Sequence, residues 1–234
     1  MNIAKIDINC QLPKQPNYIH RIHKIVSCSI EKGTPEYDDC LKRAIELASL
    51  VYPRAANDSE SERNSNRIMQ DAFGGVLAEQ GWLFFLNSTF GEIASATPFT
   101  GASGQIDILL SKNQRIEVRS SFPRHGVKFA ICNDRYNFRI IGAYSNLYKL
   151  GEVKKDLYTS VLFDTQKSDI LSDKVVNFSL IGGATADMMR DLGYTNDLVA
   201  EGDLTATKTK YRLIDIKNAW DISHVETWIK FIGY

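Results

Sequence analysis

The sequence predicts an α/β (α+β) fold: a mixed central β-sheet flanked by helices, with an N-terminal helical element ahead of it. Three observations lead there. Apolar residues recur at spacings of three and four through the first part of the chain, as on one face of a helix. From residue 82 onward, short runs of alternating or continuous apolar residues take over, which is the pattern of strands. Further helical stretches then interrupt and close the strand series, an order that suits helices packed on one mixed sheet.

Taken in order, residues 1–16 are short and polar, with Pro13 and Pro16 as breakers. A helix is expected from about Tyr18 to Glu31, where Ile19, Ile22, Ile25 and Val26 share a face. Gly33-Thr34-Pro35 breaks it, with Thr34 as N-cap and Pro35 as first residue of the next helix. That helix covers Glu36–Tyr52, where Leu41, Ile45, Leu47, Ala48 and Val51 keep the period. The stretch RAANDSESERNSN, Arg54–Asn66, is the most polar of the chain and sets the expected boundary between an N-terminal element, 1–62, and a main domain, 63–234. A third helix is expected over Arg63–Gln80, stopped by Gly81. Strands are expected at Trp82–Leu86, Gln105–Leu110, Arg115–Ser121, Lys128–Cys132, Leu157–Asp164, Val175–Ile181 and Tyr211–Ile216. A short helix near Thr185–Leu192 and a closing helix around Ser223–Ile232 complete the series.

The 234 residues are 44% hydrophobic and 24% charged, enough to bury a core without staples. Formal net charge is zero, so a nucleic-acid partner is not advertised by the whole chain and must be sought in a local patch. No run approaches the ~18 consecutive apolar residues that span a bilayer, so no membrane partner is expected. Cys10, Cys28, Cys40 and Cys132 show no metal-binding spacing, and reduced thiols in a cytoplasmic protein are the expectation. The histidines of HRIH (His20, His23) and SHVE (His224) are expected in ordinary surface or cap roles.

Chemistry concentrates in GASGQIDILLSKNQRIEVRSSFPR, residues 101–124. Alternation along a strand sends Ile106, Ile108 and Leu110 one way and Asp107 the other. On the next strand Ile116 and Val118 face the apolar side, while Arg115, Glu117, Arg119 and Ser121 face the polar side. A hairpin turning on Ser111-Lys112-Asn113 pairs residues whose numbers sum to 224, which sets Asp107 opposite Glu117; a two-residue loop shifts this by one. Directly opposed side chains lie ~4.5–5.5 Å apart at Cβ, where two carboxylates need neutralising. A hard divalent cation such as Mg²⁺ does so and keeps waters for chemistry.

This arrangement resembles the PD-(D/E)XK superfamily of metal-dependent nucleases, over residues 63–190. Its pattern is an Asp at one strand end, a gap of ten or more residues, then (D/E)-x-K on the adjacent strand. Asp107 matches the first acid and Glu117 the second, at the short end of the gap range. The resemblance implies a restriction endonuclease-like core, a catalytic set of Asp107, Glu117, Arg119 and Asp71, and metal ligation by Asp107, Glu117 and the carbonyl of Val118. Mg²⁺ is the implied cofactor, with Mn²⁺ able to substitute. Arg119 stands where the family has Lys. Arginine stays protonated, so it suits charge stabilisation rather than general-base work. Lys128, on the following expected strand, is a candidate to bring a lysine back. The family often carries an acid on the first core helix; counting back from Gly81 gives Asp71, with Gln70 close behind, whereas Glu79 lies too near the expected helix end.

Residues 111–139 hold seven Lys/Arg against two acids, an excess suited to phosphate contacts, with Arg115, Arg124, Lys128 and Arg135 as candidate DNA-binding residues. The expected function is a metal-dependent endodeoxyribonuclease of the type II restriction kind, acting on double-stranded DNA as a homodimer. The alternative is a catalytically inactive nucleic-acid-binding protein on the same fold.

Overall fold

The structure is a computed structural model that describes residues 1–11, 20–53, 63–99, 101, 104–123, 125–145, 151–198 and 209–234. Among these residues the chain runs β1 (Asn2–Asn9), β2 (Ile22–Glu31), α1 (Pro35–Leu50), α2 (Ser65–Phe90), β3 (Ala94–Ala96), β4 (Ile108–Leu110) and β5 (Arg115–Ser121). It continues through α3 (Gly126–Cys132), β6 (Arg139–Ser145), β7 (Leu157–Phe163), β8 (Val175–Thr185), α4 (Ala186–Asp191), β9 (Tyr194–Leu198), β10 (Thr209–Asp215) and α5 (Ile222–Phe231). Helices and a mixed sheet thus combine as the composition and patterning predict.

Seven strands form the central sheet in the order β1-β2-β8-β7-β5-β4-β3, and β6-β10-β9 form a second, antiparallel sheet. Within the large sheet every neighbouring pair is antiparallel except β5 and β7, which run parallel with Ile116 opposite Leu157 and Ser121 opposite Leu162. Parallel neighbours need a crossover, and α3 and β6 supply it. One face packs against α1, α2 and α5 through Tyr37, Phe73, Trp82, Phe85, Phe178 and Val225. The other face packs against α3, α4 and the small sheet through Ile131, Met189, Ile140 and Ile214. Burying each such side chain contributes roughly 1.5–3 kcal/mol. With both faces covered, β7 is buried at every position.

Local chemistry sets the helix ends. The Thr34 side chain accepts the N–H of Tyr37 at 3.4 Å to start α1, with Pro35 in the first turn as expected. Asn64 does the same for α2 through Arg67 at 2.8 Å, and Asp221 for α5 through His224 at 3.1 Å. No helix among the described residues is long and apolar enough to cross a membrane.

Several expected elements are corrected. The helix expected at Tyr18–Glu31 is strand β2, and the polar N-terminus contributes β1, so the N-terminal element is two strands and one helix. It is not apart from the sheet, because β2 pairs with β8. Buried β2 is lined on both faces, and the apolar residues pointing to alternate sides imitate a helical spacing; His23, expected at the surface, is fully buried with Nε2 2.7 Å from the carbonyl of Ile181. Gly81 does not stop α2. A Cβ there would lie 2.6 Å from the Phe178 ring, so the glycine serves close helix–sheet approach. The helix runs on through Trp82–Leu86, expected as a strand, to Gly91 at φ 83°. Lys128–Cys132 is helix α3 rather than a strand, and β6 and β9 carry no expectation from the sequence.

Cys10 and Cys132 form a disulfide across 122 residues, against the expectation of reduced thiols, while Cys28 and Cys40 are free and buried. The bond ties the residue after β1 to the end of α3.

Gly182 decides how the C-terminal segment docks. It sits at φ +108°, and a Cβ there would fall 2.0 Å from the carbonyl oxygen of Trp220. The neighbouring Gly183 exchanges two backbone hydrogen bonds with Trp220, at 3.0 and 2.8 Å. Gly182→Ala is expected to lower unfolding stability by about 3 kcal/mol or more. Urea denaturation checks this, and an unchanged midpoint would contradict the close approach.

Candidate active site

The β4–β5 hairpin has the expected register: Ile108 opposes Ile116 and Leu109 opposes Arg115, each pair summing to 224. Asn113 takes the left-handed turn position at φ 71°. The expected strand Gln105–Leu110 is pared to Ile108–Leu110, so Asp107 lies in a bend one residue before β4. Carried one step further, the register sets Asp107 beside Glu117. Its Oδ2 accepts the N–H of Val118 at 2.7 Å. Oδ1 receives no hydrogen bond from the described residues.

Glu117 is 5% exposed and held between two cations. Arg119 reaches Oε1 at 2.8 Å and Lys155 reaches Oε2 at 2.7 Å. Arg119 also pairs with Glu152 at 2.9 Å, and its guanidinium carbon lies 4.9 Å from the Tyr144 ring centre. Thr159 on the parallel strand β7 donates to the carbonyl of Glu117 at 2.9 Å, fixing the backbone. The cluster therefore sets three carboxylates (Asp107, Glu117, Glu152) against two cations (Arg119, Lys155). Asp107 is the acid with no cation in ion-pair contact among the described residues. Burial first, then the charge of Glu117, push its carboxyl up from 3.8 to about 7. Burial acts most strongly on Arg119 and lowers it, but the charges of Glu117 and Asp107 together with Tyr144 outweigh it and hold the guanidinium above its ordinary range.

The acid of α2 that lines the cavity is Glu79, and Asp71 lies elsewhere on the helix. Glu79 on α2 lines the same cavity as Asp107, Glu117, Val118 and Arg119, and burial raises its carboxyl while Arg43 of α1 pairs with it. Asp71 lies eight residues earlier, about 12 Å along a helix. It is taken up by Arg63 at 2.9 Å and Lys167 at 2.9 Å, an anchor for the chain entering α2, and it does not line the cavity. Glu79 lies within the helix and not near its end because α2 continues past Gly81 to Phe90. The cavity has a volume of about 590 Å³.

The remaining candidates separate. Lys128 is exposed on α3 and brings no lysine to the site; Lys155 does, with its side chain 1% exposed. Arg115 is exposed at the start of β5, and Arg135 is exposed after α3. Arg124 lies outside the described residues. Of the other patch residues, Lys112 donates to the carbonyl of Ile232 at 3.3 Å and Arg139 pairs with Asp215 at 4.0 Å, so part of the positive excess is used internally. Lys155, Glu152, Tyr144 and Glu79 were missed from sequence. A lysine pair just before the apolar run LYTSVLFD is visible, but only the parallel pairing of β7 with β5 puts one of them on Glu117.

No family model, no curated protein and no solved structure matches this chain.

The donor set suits a hard cation. Among the described residues no three His, Cys, Asp or Glu side chains are gathered as a metal cage. Mg²⁺ asks for less: one or two carboxylates, with waters and phosphate completing its shell. Among the described residues Asp107 offers an unbonded Oδ1 and makes no ion pair, and Glu117 lies beside it. The N–H of Val118 points at Asp107, and in an extended strand its carbonyl leaves from the same edge.

Asp107 gives a pH signature. Its folded value stands above 3.8, so its contribution favours the folded state fully below about pH 4 and is lost as pH rises through 7. Asp107→Asn keeps an acceptor for Val118 and removes the charge. It is expected to be more stable than the parent at pH 8 by on the order of 2 kcal/mol, the gap closing toward pH 4. Thermal unfolding across pH measures this, and a variant less stable at pH 8 would refute the picture. Added Mg²⁺ should raise the melting temperature of the parent and leave the variant unmoved.

Proposed function

We propose that this cavity is the active site of a metal-dependent deoxyribonuclease. The observation that carries the reading is Asp107: a carboxylate packed beside Glu117, at a cavity, with one oxygen unbonded and no ion pair among the described residues. The resemblance of Asp107 and Glu117 to the PD-(D/E)XK pattern, an acid from the preceding helix (Glu79) and a lysine at Glu117 (Lys155) support it.

Asp107, Glu117 and the carbonyl of Val118 would hold Mg²⁺, which supplies Lewis-acid polarisation of a phosphodiester and a more acidic bound water. The protein's own side chains set the conditions. Lys155 and Arg119 hold Glu117 from both sides by ion pairs. Arg119 is itself braced by Glu152 and Tyr144, so it positions Glu117 and presents its remaining positive field to a phosphate. Arg119 cannot take a proton from water, and Lys155 stands where an amine could orient one. The exposed Arg115, Lys128 and Arg135, with Arg124, are the proposed phosphate contacts outside the cavity.

Incubating the protein with plasmid and phage DNA in Mg²⁺, Mn²⁺ or chelator tests the reading. Cleavage is expected with either metal and none with chelator. Asp107→Ala should lose at least 100-fold in rate with DNA retention unchanged, and Lys155→Met at least tenfold. Discrete fragments, with a two-fold dimer in solution, would extend the reading to a restriction-type enzyme. DNA left intact in every lane but retarded on a gel would instead identify the inactive binding protein.

A further inference from the structure

We propose that the cavity is a subsite for one unpaired nucleotide, its base lying on an apolar wall of Leu47, Leu50, Val76, Pro98 and Phe99 while its phosphate faces Asp107 and Glu117. The proposal rests on the nuclease reading and names what that site accepts.

The cavity has two chemically different kinds of lining. Asp107, Glu117, Arg119 and Glu79 are its charged lining, and the apolar lining is drawn from α1, α2 and the segment after β3. Two members of that apolar lining are unusually open for their size, Phe99 at 36% and Leu50 at 62% exposure. A sugar–phosphate backbone has only the small C–H face of deoxyribose to lay against them. A nucleobase offers more, because every base presents a π-face that stacks on an aromatic ring. In a paired duplex those faces are already stacked, so only a base that is out of the helix can offer one. Arg43, Glu46 and Gln105 in the same lining are the groups able to read a base edge. A volume of about 590 Å³ is on the scale of small-ligand sites and too small for a duplex.

Gly75 supplies an independent sign. It lies inside α2, where glycine costs roughly 0.5–1 kcal/mol relative to alanine. The neighbouring Gly74 has a packing reason, since a Cβ there would meet the Phe122 ring at 3.0 Å. Gly75 has none: its φ is ordinary, a Cβ would find nothing within 4 Å, and it lines the cavity. Its absent side chain keeps space open in the cavity without serving the fold.

The unpaired nucleotide has two sources, a single strand or a base swung out of a duplex, and one experiment separates them. A short DNA oligonucleotide carrying 2-aminopurine, single-stranded or annealed to its complement, is titrated with the full chain in Ca²⁺ to hold the complex without turnover. Binding is read by anisotropy and base environment by fluorescence. Single strand bound at least tenfold more tightly than duplex supports the proposal with a single-strand source. Duplex bound with a rise in 2-aminopurine fluorescence supports it with an extruded base. In either case Phe99→Ala and Gly75→Leu should each weaken binding about tenfold or more. Gly75→Leu should meanwhile melt no lower than the parent, which a purely structural role would not predict. Duplex bound as well as single strand with no fluorescence change, or binding indifferent to both substitutions, overturns the subsite and leaves the nuclease reading standing. No binding of either oligonucleotide overturns both.

Discussion

The candidate site depends on one hydrogen bond, from the N–H of Val118 to the carboxylate of Asp107. In the β4–β5 register, the next ladder bond would run from Val118 to Ile106. The ladder stops at Ile108 instead, and the carbonyl of Ile106 accepts from Thr97 and Gln105 side chains. The bend so created turns Asp107 inward against β5, where its carboxylate substitutes for the missing backbone acceptor. Everything else in the cluster is arranged around the charge thus brought next to Glu117.

That charge is costly to the fold. Two carboxylates side by side in a partly dry setting repel, and desolvation penalises both. Glu117 is relieved by Arg119 and Lys155, and Glu152 by Arg119. Asp107 has only the Val118 N–H and the more distant field of Arg119, with no ion pair among the described residues. Such a local imbalance in an otherwise consistently packed core is what a site kept for binding a cation looks like. Elsewhere the half-buried Asp71 has two cations of its own, Arg63 and Lys167.

The places where sequence reading went astray share a cause. The strand β2 and the helix α2 are covered on more than one side, so neither shows a clean polar face. In β2, Ile25 packs on one face of the sheet and Val26 on the other, which along the chain resembles a helical doublet. In α2 the aromatic run from Trp82 to Phe85 resembled a strand because aromatics are common there. Gly81 resembled a helix stop because its real reason, the Phe178 ring, lies on β8 almost a hundred residues away. Periodicity reports which residues are apolar; it cannot report how many neighbours will cover them.

By itself the sequence determined the elements whose signals are local. Thr34-Pro35 starts α1, Asn113 turns the hairpin, and alternation gives Asp107 and Glu117 a common face, with the three-residue loop, one of two that the spacing allowed, setting their register. Those depend on contacts within a few residues, so composition and spacing suffice. Tertiary structure alone decided the rest of the site. Lys155 and Glu152 reach it because β7 lies parallel to β5, Glu79 because α2 runs past Gly81, and Cys10 meets Cys132 across 122 residues. Each of these depends on which strand becomes a neighbour, and that choice is made by burial of the whole sheet, not by the residues adjacent in the chain.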